Sequence, residues 1–99
     1  MRRAARRDAN HKTVVDTFIA LGCSVFETDR VGAGFPDVVV GIMGVSHLVE
    51  IKNPETHYGR GGLNANQSAF AAGWKGSPIV VITSPDEAAA FVLNRRRAA

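Results

Sequence analysis

Two short runs of β-branched residues joined by a tight turn constrain the fold of this chain more than any other feature. The first run contains residues 38–40 (VVV), and the second is residues 47–52 (HLVEIK). Met43 and Gly44 lie midway between them, where the centre of a hairpin turn is expected. The sequence therefore predicts an antiparallel pair of strands, whose register follows from the position of the turn.

Patterns on either side of this hairpin complete the predicted order αβββαβα. In chain order, we expect helix 9–21, strand 24–28, the two hairpin strands within 35–42 and 47–52, helix 65–75, strand 79–82 and helix 85–94. Asp8 and Ser84 are the predicted N-caps of the first and last helices. The continuous apolar run at 79–82 predicts a fully buried strand. We therefore expect an α/β domain in which helices flank a mixed sheet.

The composition is that of one small globular domain spanning residues 1–99. Hydrophobic residues make up 45% and charged residues 21% of the chain, which are ordinary values. No apolar run approaches the ~18 residues of a membrane span. The basic N-terminus is not followed by the apolar segment of a secretory signal, and the single Cys23 excludes an internal disulfide. We expect a cytoplasmic protein that does not act at a membrane.

Basic residues are concentrated at the two ends of the chain. Residues 1–7 hold four arginines (Arg2, Arg3, Arg6 and Arg7) and residues 95–97 hold three, whereas residues 8–94 have a net charge of −4. Arginine-rich ends are typical of arms that bind a phosphate polymer. The alternative is that residues 1–7 and 95–99 are solvated, frayed tails.

Asp37, Glu50 and Lys52 are the polar residues of the hairpin that carry candidate chemistry. Glu50 and Lys52 project from one face of their strand, and the predicted register places Asp37 directly opposite Glu50. Two carboxylates at that separation repel each other unless a cation joins them, and Mg²⁺ is commonly held by one or two carboxylates. The pattern favours a metal site, although each residue alone also fits an ordinary position on a sheet surface.

Gln67 and His11 lie on the inward faces of their predicted helices. Gln67 shares an apolar stripe with Phe70 and Trp74, and it also has the spacing of a capping box with Asn64. Both roles can hold, because the amide has two polar ends. His11 is either a satisfied buried residue or a ligand.

Two glycine-containing loops complete the candidate site. In residues 32–34, the glycines allow the backbone to pass close to the site. In residues 53–62, His57, Tyr58 and Arg60 are candidates for contacts with a phosphate backbone or a stacked base, or they are plain loop residues.

The combined pattern resembles the PD-(D/E)XK nuclease superfamily. Residues 34–37 (GFPD) and 50–52 (EIK), with Gln67 on the following helix, carry the resemblance. Within the superfamily, the chain is similar to the small stand-alone VRR-NUC type, which is often phage-encoded, and the similarity covers most of the chain. It implies a restriction-endonuclease-like αβββαβ core and, for a phage protein, location in the cytoplasm of the host.

The resemblance also implies a role for each site residue. Mg²⁺ or Mn²⁺ would be held by Asp37, Glu50 and the backbone carbonyl of Ile51. Lys52 would orient or activate the attacking water, and Gln67 would support the site.

One position departs from the superfamily pattern. Many relatives carry Glu or Gln near the position of His11; His11 could still bind metal or phosphate, but the number of metal ions and the metal preference do not follow from the resemblance. The expected function is a metal-dependent endonuclease acting on DNA, with branched or junction DNA as one candidate substrate, and the expected assembly is a homodimer. The alternatives are a non-catalytic nucleic-acid-binding module on the same scaffold and a structural domain with fortuitous acidic residues.

Overall fold

The computed structural model of the protein describes residues 9–55 and 62–98. In this part of the chain, three helices and four strands follow the predicted order αβββαβα. They are α1 (His11–Ala20), β1 (Ser24–Glu27), β2 (Val38–Ile42), β3 (Val45–Ile51), α2 (Ala65–Gly73), β4 (Val80–Ile82) and α3 (Pro85–Ala98). Among these described helices, none is long and apolar enough to span a bilayer.

The four strands form one mixed sheet in the order β1-β2-β3-β4. β1 and β2 pair antiparallel, as do β2 and β3, and β4 runs parallel to β3. Val38 pairs with Val49 as predicted, and Met43 and Gly44 have φ values of 51° and 82°. Two successive positive φ values are what a two-residue hairpin turn needs to follow the twist of its strands. The predicted fold class and hairpin register are therefore confirmed.

The core lies between one face of the sheet and helices α1 and α3. Alternate residues of β2 and β3 point into it, as the period of two along a strand requires. Its buried side chains are Val14, Val15, Phe18, Val38, Val40, Ile42, Val49, Ile51, Ile82, Ala88 and Val92. The opposite face of the hairpin is left for the polar side chains of Glu50 and Lys52.

Two predictions about α1 and β4 are wrong. Helix α1 begins after Asn10, which occupies the N-cap position in place of Asp8. Strand β4 is only three residues long and lies at the edge of the sheet, where Val81 is 41% exposed. A continuous apolar run indicates a strand, but it does not show whether the strand is central or at an edge.

The C-terminal arginines belong to a helix instead of a tail. Ser84 caps α3 as predicted, because its hydroxyl accepts a hydrogen bond from the Glu87 N–H at 3.1 Å. The helix continues to Ala98 and does not end at residue 94. Arg95, Arg96 and Arg97 form its last turn, where cations interact favourably with the helix dipole.

Candidate functional site

The structure brings Asp37, Glu50 and Lys52 together where the β2–β3 hairpin opens. Asp37 directly precedes β2, and its Oδ2 accepts a hydrogen bond from the Ile51 N–H at 2.8 Å. The Asp37 and Glu50 side chains lie close enough to influence each other's ionisation, and Glu50 Oε2 lies 3.7 Å from Lys52 Nζ. The register accounts for this convergence, since Asp37 and Glu50 would form the next pair after Val38 and Val49.

Glu50 and Lys52 are buried although they lie on the sheet face opposite the core. Only 3% of Glu50 and 4% of Lys52 is exposed. The first turn of α2 approaches this face, and Gln67 donates a hydrogen bond from Nε2 to Glu50 Oε2 at 2.5 Å. A buried charged group needs such partners to offset the loss of its hydration. The arrangement is therefore a closed polar network and not a solvent-facing ion pair.

Gln67 forms the predicted capping box and also contacts Glu50. Its backbone N–H donates to Asn64 Oδ1, and its side-chain Oε1 accepts from the Asn64 N–H, each at 2.9 Å. These two bonds form the capping box that starts α2. The remaining polar end of the same amide, Nε2, reaches Glu50. The start of α2 and the position of the Glu50 carboxylate are thus fixed by one side chain.

Burial raises the pKa of Asp37, and this effect exceeds the opposing ones. The hydrogen bond from Ile51, the contact with Glu50 and electrostatic interactions with His11 and Lys52 act in the opposite direction. A raised pKa means that the protein stabilises the ionised Asp37 carboxylate less well than water does. A cation placed between the two carboxylates would remove this penalty.

The donor set fits a hydrated Mg²⁺ or Mn²⁺ ion. Two adjacent carboxylates beside the Ile51 backbone provide oxygen ligands, which these ions prefer. Within residues 9–55 and 62–98, no group of three His, Cys, Asp or Glu side chains is arranged to hold a metal. Mg²⁺ is commonly held by one or two carboxylates, with waters as its other ligands.

Thr28 holds the backbone that presents Asp37. Its N–H donates to the Asp37 carbonyl and its hydroxyl donates to the Pro36 carbonyl, both at 2.8 Å. Thr28 is itself buried, so the entry to β2 is fixed at two consecutive residues. No sequence pattern indicates this role, because it depends on the end of β1 lying beside the start of β2.

Gly34 allows the loop before Asp37 to pack against α2. It has a φ of +81°, and a Cβ at this position would overlap the backbone carbonyl of Asn66. Gly32 also has a positive φ, but nothing lies within 4 Å of its Cβ position. The expected close passage of backbone near the site therefore occurs at Gly34, and its neighbour is the first turn of α2.

Asn10 and His11 connect the start of α1 to the same region. Asn10 Nδ2 donates to the carbonyls of Lys52 at 2.9 Å and Thr83 at 2.7 Å, which joins α1 to the ends of β3 and β4. His11 is buried, and its Nε2 is hydrogen-bonded to Glu27 Oε1 at 2.8 Å. The sequence does not single out Glu27, because the pairing forms only when β1 and α1 pack together.

Three aromatic side chains extend away from the site and are named here the aromatic row (Phe35, Phe70 and Trp74). Phe35 and Phe70 meet edge to face, and Phe70 stacks on Trp74, with centroid distances of 5.3 Å for both pairs. Phe35 is two residues before Asp37, and Phe70 is three residues after Gln67. Trp74, at the outer end, is 42% exposed.

Several predicted nucleic-acid contacts lie outside the described residues. They are Arg2, Arg3, Arg6, Arg7, His57, Tyr58 and Arg60.

No protein-family model matches the chain, and no curated protein or solved structure matches it.

Proposed function

We propose that this protein is a metal-dependent endonuclease of the PD-(D/E)XK type, which hydrolyses phosphodiester bonds in DNA. The observation that carries the proposal is the proximity of two carboxyl groups, those of half-buried Asp37 and buried Glu50, with Lys52 Nζ 3.7 Å from Glu50. A structural role alone does not explain why two carboxyl groups lie together in a poorly hydrated place, because burial disfavours the ionised form of a carboxyl group.

The proposed chemistry divides among the residues of this site. Asp37, Glu50 and the Ile51 carbonyl would hold Mg²⁺ or Mn²⁺, which would supply Lewis acidity and lower the pKa of a water molecule. Lys52 is placed to orient that water or to neutralise charge on the phosphate. Gln67 keeps Glu50 in place through its 2.5 Å hydrogen bond.

Two further features support a nucleic-acid substrate. The exposed Trp74 at the end of the aromatic row provides a surface on which a base can stack. Because residues 8–94 have a net charge of −4, the arginines of residues 1–7 would supply the long-range attraction to phosphate.

Cleavage of supercoiled plasmid and of a four-way DNA junction, with and without Mg²⁺, tests the proposal. We expect cleavage that requires Mg²⁺ or Mn²⁺ and stops when EDTA is added. Faster cleavage of the junction than of linear duplex would identify branched DNA as the substrate, and sedimentation equilibrium would test the proposed homodimer.

Asp37→Asn is the sharpest variant, because the amide keeps an oxygen that accepts the Ile51 N–H while the negative charge is lost. We expect single-turnover cleavage to fall by about a hundredfold or more, with the fold intact by circular dichroism. Asp16→Asn is the matched control, since Asp16 is an exposed acid paired with Lys12 at 2.7 Å. We expect this control to cleave like the wild type.

Other outcomes would select the alternatives. Wild-type cleavage by folded Asp37→Asn protein would refute the metal-site assignment. DNA binding without cleavage at any Mg²⁺ concentration would instead indicate a non-catalytic nucleic-acid-binding module. A protein that neither binds DNA nor changes its melting temperature with Mg²⁺ would be a structural domain.

A further inference from the structure

Trp74 is exposed at the outer end of the aromatic row, yet its ring is held from two sides. One face of the indole stacks on Phe70, with 21° between the two ring planes. The pyrrole edge lies against the backbone of Gly76, because a Cβ at that position would be 2.7 Å from Trp74 Nε1. The residue is still 42% exposed, which leaves the face opposite Phe70 as the accessible one.

The aromatic row connects this open indole face to the candidate nuclease site. Phe70 also meets Phe35, two residues before Asp37, edge to face. Trp74 follows Gln67 by seven residues, which is close to two helical turns, so the two residues lie on the same side of α2. At 1.5 Å per residue, Trp74 is about 10 Å along the helix from Gln67, whose amide contacts Glu50.

The segment that carries Trp74 has no acidic residue. Residues 62–85 contain no Asp or Glu, and Lys75 is the one Lys or Arg among them, whereas residues 8–94 as a whole have a net charge of −4. Lys75 is exposed directly beside Trp74. The exposed residues of α2 on this approach are short and uncharged, and they include Asn66, Ser68, Ala69 and Ala72. A polyanion therefore meets a cation and no carboxylate in this segment.

An open aromatic face beside a cation has the chemistry of a site for a nucleobase and its phosphate. Stacking on an aromatic side chain accepts any base, because every base has a π-face. In a duplex both faces of a base are covered by its neighbours, so only a base that has left the stack can lie on the indole. Because a stacked strand advances 3.4 Å per nucleotide, about 10 Å corresponds to about three nucleotides, and to fewer in an unstacked strand.

We propose that the open face of Trp74 binds one unpaired nucleobase of a DNA strand, within about three nucleotides of the phosphate at the Asp37 and Glu50 site. Lys75 contacts a phosphate next to that base. The position of the base relative to a scissile phosphate rests on the proposed nuclease function. Trp74 is thereby a specificity-determining residue, which selects strands that have an unpaired base near the point of attack.

The intrinsic fluorescence of the protein tests base binding directly, because Trp74 is the only tryptophan of the chain. The wild-type protein is titrated in EDTA, so that no cleavage occurs, with oligothymidylate and with a paired duplex of equal length. We expect saturable quenching by oligothymidylate and little quenching by the duplex. Simple attraction to phosphate gives the opposite order, since a duplex has the higher charge density.

A matched pair of variants separates stacking on the row from general exposure of aromatic rings. Trp74→Leu should weaken the binding of fluorescein-labelled oligothymidylate about tenfold, measured by anisotropy. Phe26→Leu removes a ring that is 72% exposed on β1, outside the row, and should change the affinity less than about twofold. Trp74→Phe retains an aromatic ring at the site and should keep most of the affinity, which makes the comparison decisive even if Trp74→Leu does not fold.

Three outcomes would overturn the base-binding site. They are absence of saturable quenching by oligothymidylate, quenching by the duplex that is equally deep, and equal losses of affinity in Trp74→Leu and Phe26→Leu. Because the titrations need neither metal nor cleavage, their failure is distinct from failure of the nuclease proposal. Cleavage of DNA that does not quench Trp74 would remove the base site alone, whereas quenching without any cleavage would support the base site and contradict the nuclease proposal.

Discussion

The two ends of the β2–β3 hairpin bury polar groups in opposite ways. At the open end, Glu50 is held by Gln67 and lies beside the charge of Lys52. At the turn end, His47 Nε2 is buried without a hydrogen-bond partner among the described residues. At the open end, the capping glutamine of α2 contacts the sheet, while at the turn end His47 contacts Phe91 of α3.

The difference shows that a buried charged group and a buried neutral group need different numbers of hydrogen-bond and ion-pair partners. Charged side chains at the open end are buried within a network, since a buried charge without partners is strongly destabilising. The turn end carries a neutral imidazole, which tolerates an incomplete set of partners at a smaller cost. We therefore expect the open end to be sensitive to any loss of a partner and the turn end to be sensitive to pH.

The largest expected effect at the open end comes from Lys52→Met, which keeps most of the side-chain volume and removes the charge. We expect single-turnover cleavage to fall by about a hundredfold or more. Mg²⁺ affinity, measured by calorimetry, should be unchanged or higher, because a positive charge next to the ligands is removed. Lys12→Met, at an exposed position, should change neither quantity. Loss of Mg²⁺ binding in Lys52→Met would assign Lys52 to metal binding and not to the chemical step.

A pair of glycine substitutions tests whether the packing of α2 closes the open end. Gly34→Ala adds both a strained φ and an overlap with Asn66, so we expect a loss of about 2–5 kcal/mol in the free energy of unfolding. Gly32→Ala adds only the strained φ and should cost about 1–2 kcal/mol. Urea denaturation measures both values. Equal losses would show that the loop does not depend on close contact with α2.

Gln67→Leu and Asn64→Ala separate the two roles of Gln67. Both variants lose the capping box and should be destabilised by about 1 kcal/mol. Only Gln67→Leu also loses the hydrogen bond to Glu50, and its cleavage rate should fall by about tenfold or more, as is typical when a ligand loses its supporting contact. If Asn64→Ala lowers the rate equally, the effect on cleavage arises from the helix start and not from the contact with Glu50.

At the turn end, His47 should make stability depend modestly on pH. Its pKa in the folded protein is lowered from 6.5, so the unfolded chain binds a proton first as the pH falls. Stability should therefore be complete above about pH 6.5 and decline below it, with a slope of no more than about 1.4 kcal/mol per pH unit for one proton. Urea denaturation between pH 5 and 7.5 measures this decline. His47→Phe should remove it, and an unchanged pH profile in that variant would contradict the assignment.

The hairpin could be predicted well from the sequence. A two-residue turn fixes which residues pair, and the alternation of side chains between the two faces of a strand leaves few alternative registers. The same logic placed Asp37 opposite Glu50, and the capping spacing identified Asn64 as the partner of Gln67. It did not indicate Thr28 or Glu27, because their partners are distant in the sequence and meet them only through the packing of β1.

Two errors at the edges of the fold have physical causes. An apolar run has the same appearance in a central strand and in an edge strand such as β4. A run of arginines has the same composition in a tail and in the last turn of a helix, and here Arg96 donates a hydrogen bond to the Leu21 carbonyl and joins the end of α3 to the end of α1. Tertiary contacts of this kind are not encoded in local composition.

Helix α2 differs from the other described helices in the interactions that hold it against the rest of the protein. None of its nine residues, all of them described, is buried, so hydrophobic burial contributes little to keeping it in place. Such a segment opens by local unfolding at a lower free energy than the sheet beneath it. Its amide hydrogens should therefore exchange with solvent before those of β2 and β3, and each opening would break the link from Gln67 to Glu50 and admit water to the buried carboxylates.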